Sequence, residues 1–421
     1  MAGLINNGKH RVLVLEQDSP ETFAKKWDWH DNVDIARLKK LGYGHILPDE
    51  FPPQEERMVS SPSGRFKLRF SVRKKLVYEQ VYRPQMLVRL QEKAREIAGL
   101  RFDTRVQSLL VRNDQVVGVA LLDGQEIRAD LVVDCTGNGR LSYELIGDAL
   151  AQRYSTVFRG IFPYAGGASD EDERQILDSL KLKPRGIEGI ARYGVDARGN
   201  TDVVIRKMGE PAGNWESDIL KELVEENSQW DKPQIQDGQC GGYICTVGPP
   251  LTQLVFDGYA LLGDSACMAS ALFGEGLVNA LHGAKILAEV INEIDSADMA
   301  SLWKYQLRFF REAAKNTWRL GVLSHWLLKS SDSILEKLFS SRVFGAHDAE
   351  RIFRGQFLSL APQKILQRGV QLLLHPRLLF ALIPLFASSI WAEECARSIP
   401  DKYSEKQFSA WKARMDKALR G

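Results

Sequence analysis

The glycine-rich stretch at residues 258–284 constrains the fold more than any other part of the sequence. An apolar segment, 259–262, is followed by Gly263-Asp264, and a loop of small residues then leads to Gly274-Glu275-Gly276. The next residues have the apolar spacing of a helix, which we expect to continue to about Ile294. A strand, a glycine-rich loop and a helix in this order are typical of α/β folds that bind a ligand at a helix N-terminus.

Each part of this stretch has a chemical use. Glycines let the backbone approach a ligand closely, and a helix N-terminus offers N–H groups and a partial positive charge to an electron-rich group. The carboxylate of Asp264 can hold a sugar-like hydroxyl. Together these features predict a binding site for a flavin. Asp264 would contact the ribityl chain, and the helix after Gly276 would point at the pyrimidine edge. A glycine-rich turn without a ligand is the alternative.

The order and spacing of these residues resemble the second FAD motif of the flavoprotein hydroxylase superfamily. Within it the geranylgeranyl reductase family is the most similar, because Gly-Glu-Gly-Leu at 274–277 and the glycines and prolines at 241–250 follow its pattern. The resemblance implies FAD as the cofactor and these residues as its ligands: Gly263, Asp264, Gly274 and Gly276.

Residues 10–16 have the pattern of a buried parallel strand that ends in an acid, Glu16. In a dinucleotide-binding fold this acid binds the adenosine ribose, and a glycine fingerprint precedes it by about 20 residues. Counting back from Glu16 passes Met1, so we expect the first strand and its phosphate loop to be absent and residues 1–7 to be the end of the first helix. A start assigned at an internal methionine is the simplest explanation, and a remnant that no longer binds FAD is the alternative. We expect the chain as given to bind FAD poorly and a version extended upstream to bind it well.

The middle of the chain contains a strand and a helix at 78–100, with Pro84 suited to the first helical turn. The superfamily resemblance places Arg83 beside the FAD, and a surface arginine near a helix N-terminus is the alternative. Three strand-like segments follow at 104–133, with a hairpin signal at Asp123-Gly124. They lead into residues 134–140, which resemble the superfamily's strand-to-loop element on the adenine side of FAD.

Residues 151–240 are predicted to be β-rich. Strands are expected at 154–164 and 190–206, the latter with a turn at 196–200, and an amphipathic helix at 217–226. Two elements of the reductases have no counterpart, since residues 17–134 contain no cysteine for their Cys-Gly-Gly element and their Tyr-x-Trp-x-Phe-Pro element is absent. The residues therefore support the fold and FAD more than they support polyprenyl reduction.

After about residue 300 the pattern is helical. The apolar stretch from Leu378 to Ala392 contains Pro384 and is shorter than the about 20 residues that a spanning helix needs. Three alternatives remain: it caps an apolar substrate tunnel, it lies in a membrane interface beside Arg368 and Arg377, or it is ordinary helical core.

The charge, the cysteine content and the N-terminal pattern of the chain argue against several classes of protein. The net charge of +2 gives no argument for a nucleic-acid partner. Five scattered cysteines without CxxC spacing predict neither a disulfide framework nor a metal site. The N-terminus lacks the pattern of a signal peptide. We expect a cytoplasmic location, with a peripheral membrane contact through the C-terminal apolar helices as an added alternative.

The sequence therefore predicts an α/β fold: a discontinuous Rossmann-like FAD-binding domain, an inserted β-rich substrate domain and a helical C-terminal region. The predicted boundaries are 1–150 (with a substrate-domain excursion at 55–77) and 241–300 for the first, 151–240 for the second and 301–421 for the third. The predicted function is a FAD-dependent oxidoreductase acting on a bulky apolar small molecule or lipid, isoprenoid in the resemblance, with NAD(P)H as a candidate donor. A FAD-dependent monooxygenase and a truncated non-catalytic chain are the alternatives. No catalytic residue or metal ligand is identified.

Overall fold

The structure of the protein is a computed structural model. It describes residues 1–5, 8–26, 30–48, 56–70, 78–137, 141, 145, 154–163, 175–179, 187–195, 200–208, 240–246, 249–269, 276–314, 316–358 and 362–420. The helix predicted at 217–226 and Gly274 lie outside these residues.

The first part of the chain alternates strands and helices around a short parallel pair. After a 3-10 turn at Ala2–Leu4, the elements are β1 (Val12–Leu15), α1 (Pro20–Lys26), β2 (His30–Asp34), α2 (Ile35–Lys40), β3 (Glu56–Ser60), β4 (Lys67–Phe70), β5 (Tyr78–Tyr82), α3 (Arg83–Arg95) and β6 (Ala98–Arg101). β1 pairs with β6 in parallel, and β2 pairs with β5 in antiparallel. The predicted strand that ends at Glu16 is therefore present.

The three strand-like segments predicted at 104–133 form a meander and the strand after it. The meander consists of β7 (Val106–Arg112), β8 (Gln115–Leu121) and β9 (Glu126–Arg128), and β10 (Val132–Asp134) follows. The predicted hairpin at Asp123-Gly124 is confirmed, since the N–H of Gly124 donates to the carbonyl of Leu121 at 3.0 Å. β10 leaves the meander and pairs in parallel with β17 (Tyr259–Leu261), which pairs in turn with β16 (Val255–Phe256).

A seven-stranded sheet forms the second large unit. Its remaining strands are β11 (Tyr154–Pro163), β12 (Gln175–Ser179), β13 (Ile187–Val195), β14 (Asn200–Met208) and β15 (Cys240–Thr246), and its order is β15-β11-β14-β13-β12-β3-β4. β3 and β4, from the predicted excursion, thus share one sheet with the strands of 151–240. The sheet also reaches Thr246, past the boundary predicted at 240, and the domain boundaries themselves stay predictions.

The last part of the described chain is helical, as predicted. Its helices are α4 (Leu277–Glu293), α5 (Met299–Arg308) with a π turn at Phe309–Ala313, α6 (Thr317–Lys329), α7 (Asp332–Ser340), α8 (Ala346–Phe353), α9 (Pro362–Leu373), α10 (Pro376–Arg397) and α11 (Glu405–Arg420). The helix predicted to open after Gly276 and to end near Ile294 is confirmed by α4.

One expectation about length was wrong. The apolar stretch from Leu378 to Ala392 is by itself shorter than a spanning helix, but α10 has 22 residues and continues through Pro384 to Arg397. Among the helices of the described residues, α10 alone is long and apolar enough to cross a membrane by length and composition.

Aromatic side chains join the C-terminal helices to β16 and β17. Trp303, Trp318 and Trp411 are fully buried, and Phe310 packs against the last two at ring-centroid distances of 5.3 and 5.6 Å. Tyr305 of α5 donates its hydroxyl to the carbonyl of Leu261 at 2.9 Å. The helical region is therefore fixed directly to the strand that leads into the glycine-rich turn.

Gly258 makes the close turn between β16 and β17. Its φ is +74°, and a Cβ there would lie 2.0 Å from the carbonyl oxygen of Val116. The carbonyl of Gly258 accepts from the N–H of Val132 at 2.9 Å, and that of Asp257 accepts from Val116 at 2.9 Å. Only glycine allows the turn to pack this tightly against the meander.

Candidate functional site

The candidate site lies at the carboxyl ends of β10 and β17, where a parallel sheet presents its loops to ligands. The N–H of Leu262 donates to the carbonyl of Asp134 at 2.9 Å. The hydroxyl of Ser265 donates to the same carbonyl at 2.7 Å and to that of Leu262 at 2.9 Å. These bonds fix the turn after β17 to the end of β10, so two loops from distant parts of the sequence meet in one place.

The Gly-Asp turn is closed on itself. Gly263 has φ +76° and opens a 3-10 turn, and Cys267 ends this turn in the left-handed region at φ +54°. The N–H groups of Cys267 and Met268 donate to the carbonyls of Asp264 and Gly263 at 3.0 and 3.1 Å. Asp264 is the second residue of this turn and is half-buried, and its role toward a flavin stays a prediction.

Gly276 brings the N-terminus of α4 against Asp264. A Cβ at Gly276 would lie 3.2 Å from Asp264 Oδ1, 3.2 Å from the Cβ of Ala269 and 3.3 Å from its Cα. α4 begins at this glycine without a hydrogen bond from a capping side chain. The Asp264 carboxylate, which can accept from a hydroxyl, therefore lies beside the start of α4. The first N–H groups of this helix can donate to acceptor atoms of a ligand. The residues present fit the ribityl and pyrimidine parts of a flavin.

Asp134 is a buried acid whose structural role the sequence did not reveal. Its side chain is 1% exposed and accepts from the hydroxyl of Tyr259. It also accepts from the N–H and the hydroxyl of Thr136 at 2.8 and 2.7 Å. A buried carboxylate requires such donors, and here they hold the loop after β10 in place. The Asp-x-Thr spacing was the available signal, since both residue types favour local turns of this kind.

A polar network supports the first turns of α4 from the side of α2. The guanidinium of Arg37 donates to Asn279 Oδ1 at 2.9 Å and contacts His282 Nδ1 at 3.2 Å. The amide of Asn279 donates in turn to the carbonyl of Met268 at 3.1 Å. Arginine carries only donors, so Nδ1 of His282 accepts and its ring is neutral. Burial, followed by the charge of Arg37, lowers the pKa of His282 to about 4.

Glu16 and Arg83 lie where their elements were predicted, and their roles toward FAD stay predictions. Glu16 follows β1 directly, and its carboxylate accepts from the N–H of Asp18 at 3.0 Å. Arg83 is the first residue of α3, whose Met86 is fully buried in one cluster with Leu281 of α4. The helix that begins at Arg83 and the helix that begins after Gly276 therefore contribute to one buried cluster.

Two short sheets carry the predicted ligands. Among the described strands, β1 pairs only with β6, whereas β10 pairs only with β17. Glu16 follows the first sheet and Asp264 follows the second. One edge of β1 and one edge of β10 therefore have no hydrogen-bonded strand within the described residues.

No protein-family model matches the chain. The chain is 28% identical over 265 residues to digeranylgeranylglycerophospholipid reductase of Methanothrix thermoacetophila. That match covers 59% of this chain and 64% of the relative, so the chain spans less than two thirds of the relative's length.

Solved structures have the same fold at low sequence identity. A geranylgeranyl bacteriochlorophyll reductase-like protein of Thermoplasma acidophilum superposes with a TM-score of 0.65 at 15% identity, over 89% of this chain and 98% of that one. HpxO of Klebsiella pneumoniae, complexed with FAD and uric acid, gives 0.58 at 18% identity over 86% and 98%. The myxobacterial chondrochloren halogenase CndH, a FAD-dependent halogenase, gives 0.56 at 17% over 91% and 94%. The predicted α/β, Rossmann-like fold with a helical C-terminal region is confirmed.

Proposed function

We propose that this chain, which has the fold of the FAD-dependent oxidoreductase superfamily, binds FAD and acts as an oxidoreductase on a bulky apolar substrate of the isoprenoid class. The observation that carries the proposal is the position of the Asp264 carboxylate against the N-terminus of α4 at Gly276. FAD, when bound, would supply hydride transfer. The chain's own residues would bind and orient it.

Three groups share this work in the proposal. Asp264 would accept a hydrogen bond from a ribityl hydroxyl, and the first N–H groups of α4 would donate to the acceptor atoms of the flavin ring. Glu16 would bind the adenosine ribose, as its position after β1 suggests. Asp134, through Thr136 and Tyr259, would keep the loop after β10 in a fixed position relative to Asp264.

The substrate class rests on likeness to named proteins. The curated relative is named for the reduction of digeranylgeranylglycerophospholipids, and the structure with the TM-score of 0.65 is described as geranylgeranyl bacteriochlorophyll reductase-like. Both names refer to isoprenoid chains, which are long and apolar. A reductase is therefore proposed ahead of a monooxygenase, with NAD(P)H as the proposed electron donor.

A FAD titration of the purified chain tests the cofactor site. After free FAD is removed by gel filtration, flavin that stays with the chain absorbs at about 370 and 450 nm, which identifies it. Asp264→Ala removes a charged acceptor worth about 1.5–3 kcal/mol, so we expect about tenfold to hundredfold weaker FAD binding. Asp295→Ala is the matched control, because the Asp295 side chain is 96% exposed at the opposite end of α4. Equal affinity in both variants would contradict the assignment of Asp264.

The reaction type is tested separately. With FAD and NAD(P)H present, rapid oxygen consumption that depends on an aromatic or quinone substrate would favour a monooxygenase. Hydrogenation of an isoprenoid double bond under anaerobic conditions would support the reductase. A folded chain that does not change the fluorescence of added FAD at any concentration would instead support the non-catalytic alternative.

A further inference from the structure

The hairpin of α9 and α10 exposes many large apolar side chains. The two helices are joined by a tight turn, in which the N–H of His375 donates to the carbonyl of Leu372 at 2.9 Å. More than half of the exposed large apolar side chains in the described residues belong to this hairpin: Leu366, Val370, Leu373, Leu374, Phe380, Ile383, Ile390 and Trp391. Soluble proteins seldom expose so many together without a partner.

The spacing of these side chains defines one outward face on each helix. On α9 they recur at intervals of four and three residues, from Leu366 to Leu373, which keeps them on one side, and Leu374 follows directly in the turn. On α10 the intervals from Phe380 through Ile383 to Ile390 and Trp391 have the same effect. Leu373 is 75% exposed and Phe380 is 72% exposed. We call this surface the hairpin face.

The opposite side of α10 is fixed in the protein. Leu378, Leu382 and Leu385 are at most 2% exposed, and Trp326 of α6 donates its indole N–H to the carbonyl of Ala381 at 2.9 Å. Near the end of the helix, the buried Glu393 forms ion pairs with Arg319 and Arg397. Leaving the fold would expose that side and this charge. α10 therefore presents one face outward and does not need to cross a membrane, although its length and composition would allow it.

The acidic residues of α10 are confined to its C-terminal end. From Arg351 to Ala392 the sequence contains no aspartate or glutamate, although the whole chain contains 54 such residues. Arg377 is exposed at the start of α10. At the other end, the ammonium of Lys417 lies 5.9 Å from the ring centre of Trp391. Cations thus border the apolar surface at both ends, and the exposed acid next to it, Glu394, forms an ion pair with Arg397 at 3.2 Å.

We propose that the hairpin face binds the surface of an anionic lipid bilayer, with its apolar side chains at the headgroup–acyl boundary. Helices with an apolar face and cationic borders lie in this boundary with the apolar side inserted by about 5–10 Å, and anionic headgroups attract nearby cations. A second copy of the chain fits less well, because a symmetric contact would bring the same cations together. The proposal goes beyond the proposed reaction and does not depend on FAD.

Co-sedimentation with vesicles tests this inference. The full chain is mixed with vesicles of phosphatidylcholine alone or of phosphatidylcholine with phosphatidylglycerol, and the bound fraction is measured at low and high salt. We expect binding to the anionic vesicles that weakens as salt increases. The variant that combines Leu373→Ser and Leu374→Ser should bind at least about tenfold more weakly, since each exposed leucine loses an apolar burial worth more than a tenfold change in partition.

Two further variants control the experiment. Leu122→Ser removes an apolar side chain that is 60% exposed but lies after β8, away from the hairpin, and should bind as the unchanged chain does. Arg377→Glu should weaken binding to the anionic vesicles and leave the thermal unfolding midpoint unchanged. Failure of the unchanged chain to sediment with anionic vesicles would overturn the proposal. So would a dimer in solution that the paired serine variant converts to a monomer, or an equal loss of binding in Leu122→Ser.

Discussion

A single hydrogen atom in place of a side chain at Gly276 decides whether Asp264 and the first turn of α4 can lie together. The nearest atoms to a Cβ there include the backbone of Ala269, at 3.3 Å, which cannot move aside as a side chain could. Crowding at such a position costs about 1–3 kcal/mol. The glycine therefore belongs to the geometry of the site and not only to the start of a helix.

Gly276→Val should lower FAD affinity by about tenfold or more, because the branched side chain would separate Asp264 from the helix N-terminus. A fluorescence titration with FAD measures the effect, and circular dichroism confirms that the variant is folded. Gly369→Ala is the matched control, since a Cβ there meets nothing within 4 Å and alanine favours the helix. Unchanged FAD affinity in Gly276→Val would remove this glycine from the site.

His282 predicts how stability depends on pH. Its pKa is lowered to about 4 in the folded protein from an ordinary 6.5, first by burial and then by Arg37. The unfolded chain therefore binds more protons between these values, and the free energy of unfolding should fall as the pH falls from about 6.5 to about 4. Denaturant unfolding at several pH values measures this slope.

His282→Gln removes the titrating group while keeping a side chain that can accept from Arg37. The slope between pH 6.5 and 4 should be smaller in this variant than in the unchanged chain. A slope that is the same in both proteins would show that other groups produce the pH dependence.

The sequence alone was sufficient to predict the local geometry of some individual residues but not of others. The local geometry of Gly263, Asp264 and Gly276 was predictable because it depends on the spacing around one turn, and their roles toward FAD stay predictions. Asp134 was assigned only to a loop element, because its partner Tyr259 lies 125 residues away in the chain. The same holds for Arg37, which meets Asn279 only after α2 and α4 have packed.

The turn at Gly258 is a single element that connects three others. The carbonyl of Gly258 accepts a hydrogen bond from β10, and the carbonyl of the neighbouring Asp257 accepts one from β8. The N–H of Gly258 donates to the carbonyl of Ala297 at 2.8 Å. Gly258→Ala should destabilise the protein by at least about 1–3 kcal/mol, since alanine is strained at this positive φ and its Cβ would clash with Val116.

Denaturant unfolding of Gly258→Ala tests this prediction. Gly124→Ala gives a control with a similar positive φ of +86° but open space around the added Cβ, and it should cost less. Equal losses in the two variants would mean that backbone strain alone, and not the close contact with Val116, makes Gly258 necessary.

α10 shows why the length of an element is harder to predict than its presence. The apolar pattern ends near Ala392, but the helix continues to Arg397. The added turn is held by tertiary contacts, because Glu393 meets Arg319 from α6 and the carbonyl of Cys395 accepts from the indole of Trp411 at 2.8 Å. The apolar pattern along one helix contains no information about the residues of other helices that will contact its end.

In the whole molecule, the fold class was predictable but the composition of the large sheet was not. The order of strands, glycine loops and helices indicated an α/β chain with a helical end. The pairing of β3 with β12 joins segments more than one hundred residues apart in parallel, and β3 Val59 is aligned with Asp178. Long-range pairing of this kind depends on how separate units pack, so periodicity within either strand cannot reveal it.

The separation of the β1–β6 pair from the β10–β17–β16 sheet has a consequence for amide hydrogen exchange. Leu13 in β1 is 39% exposed, whereas all three residues of β17 are fully buried. Because no strand pairing joins the two sheets within the described part of the chain, they can open as separate cooperative units. Native-state exchange followed by mass spectrometry should show β1 amides opening at lower free energy than β17 amides, and equal protection would contradict this. Glu16 would then lose its ordered surroundings under mild denaturant while Asp264 still keeps them.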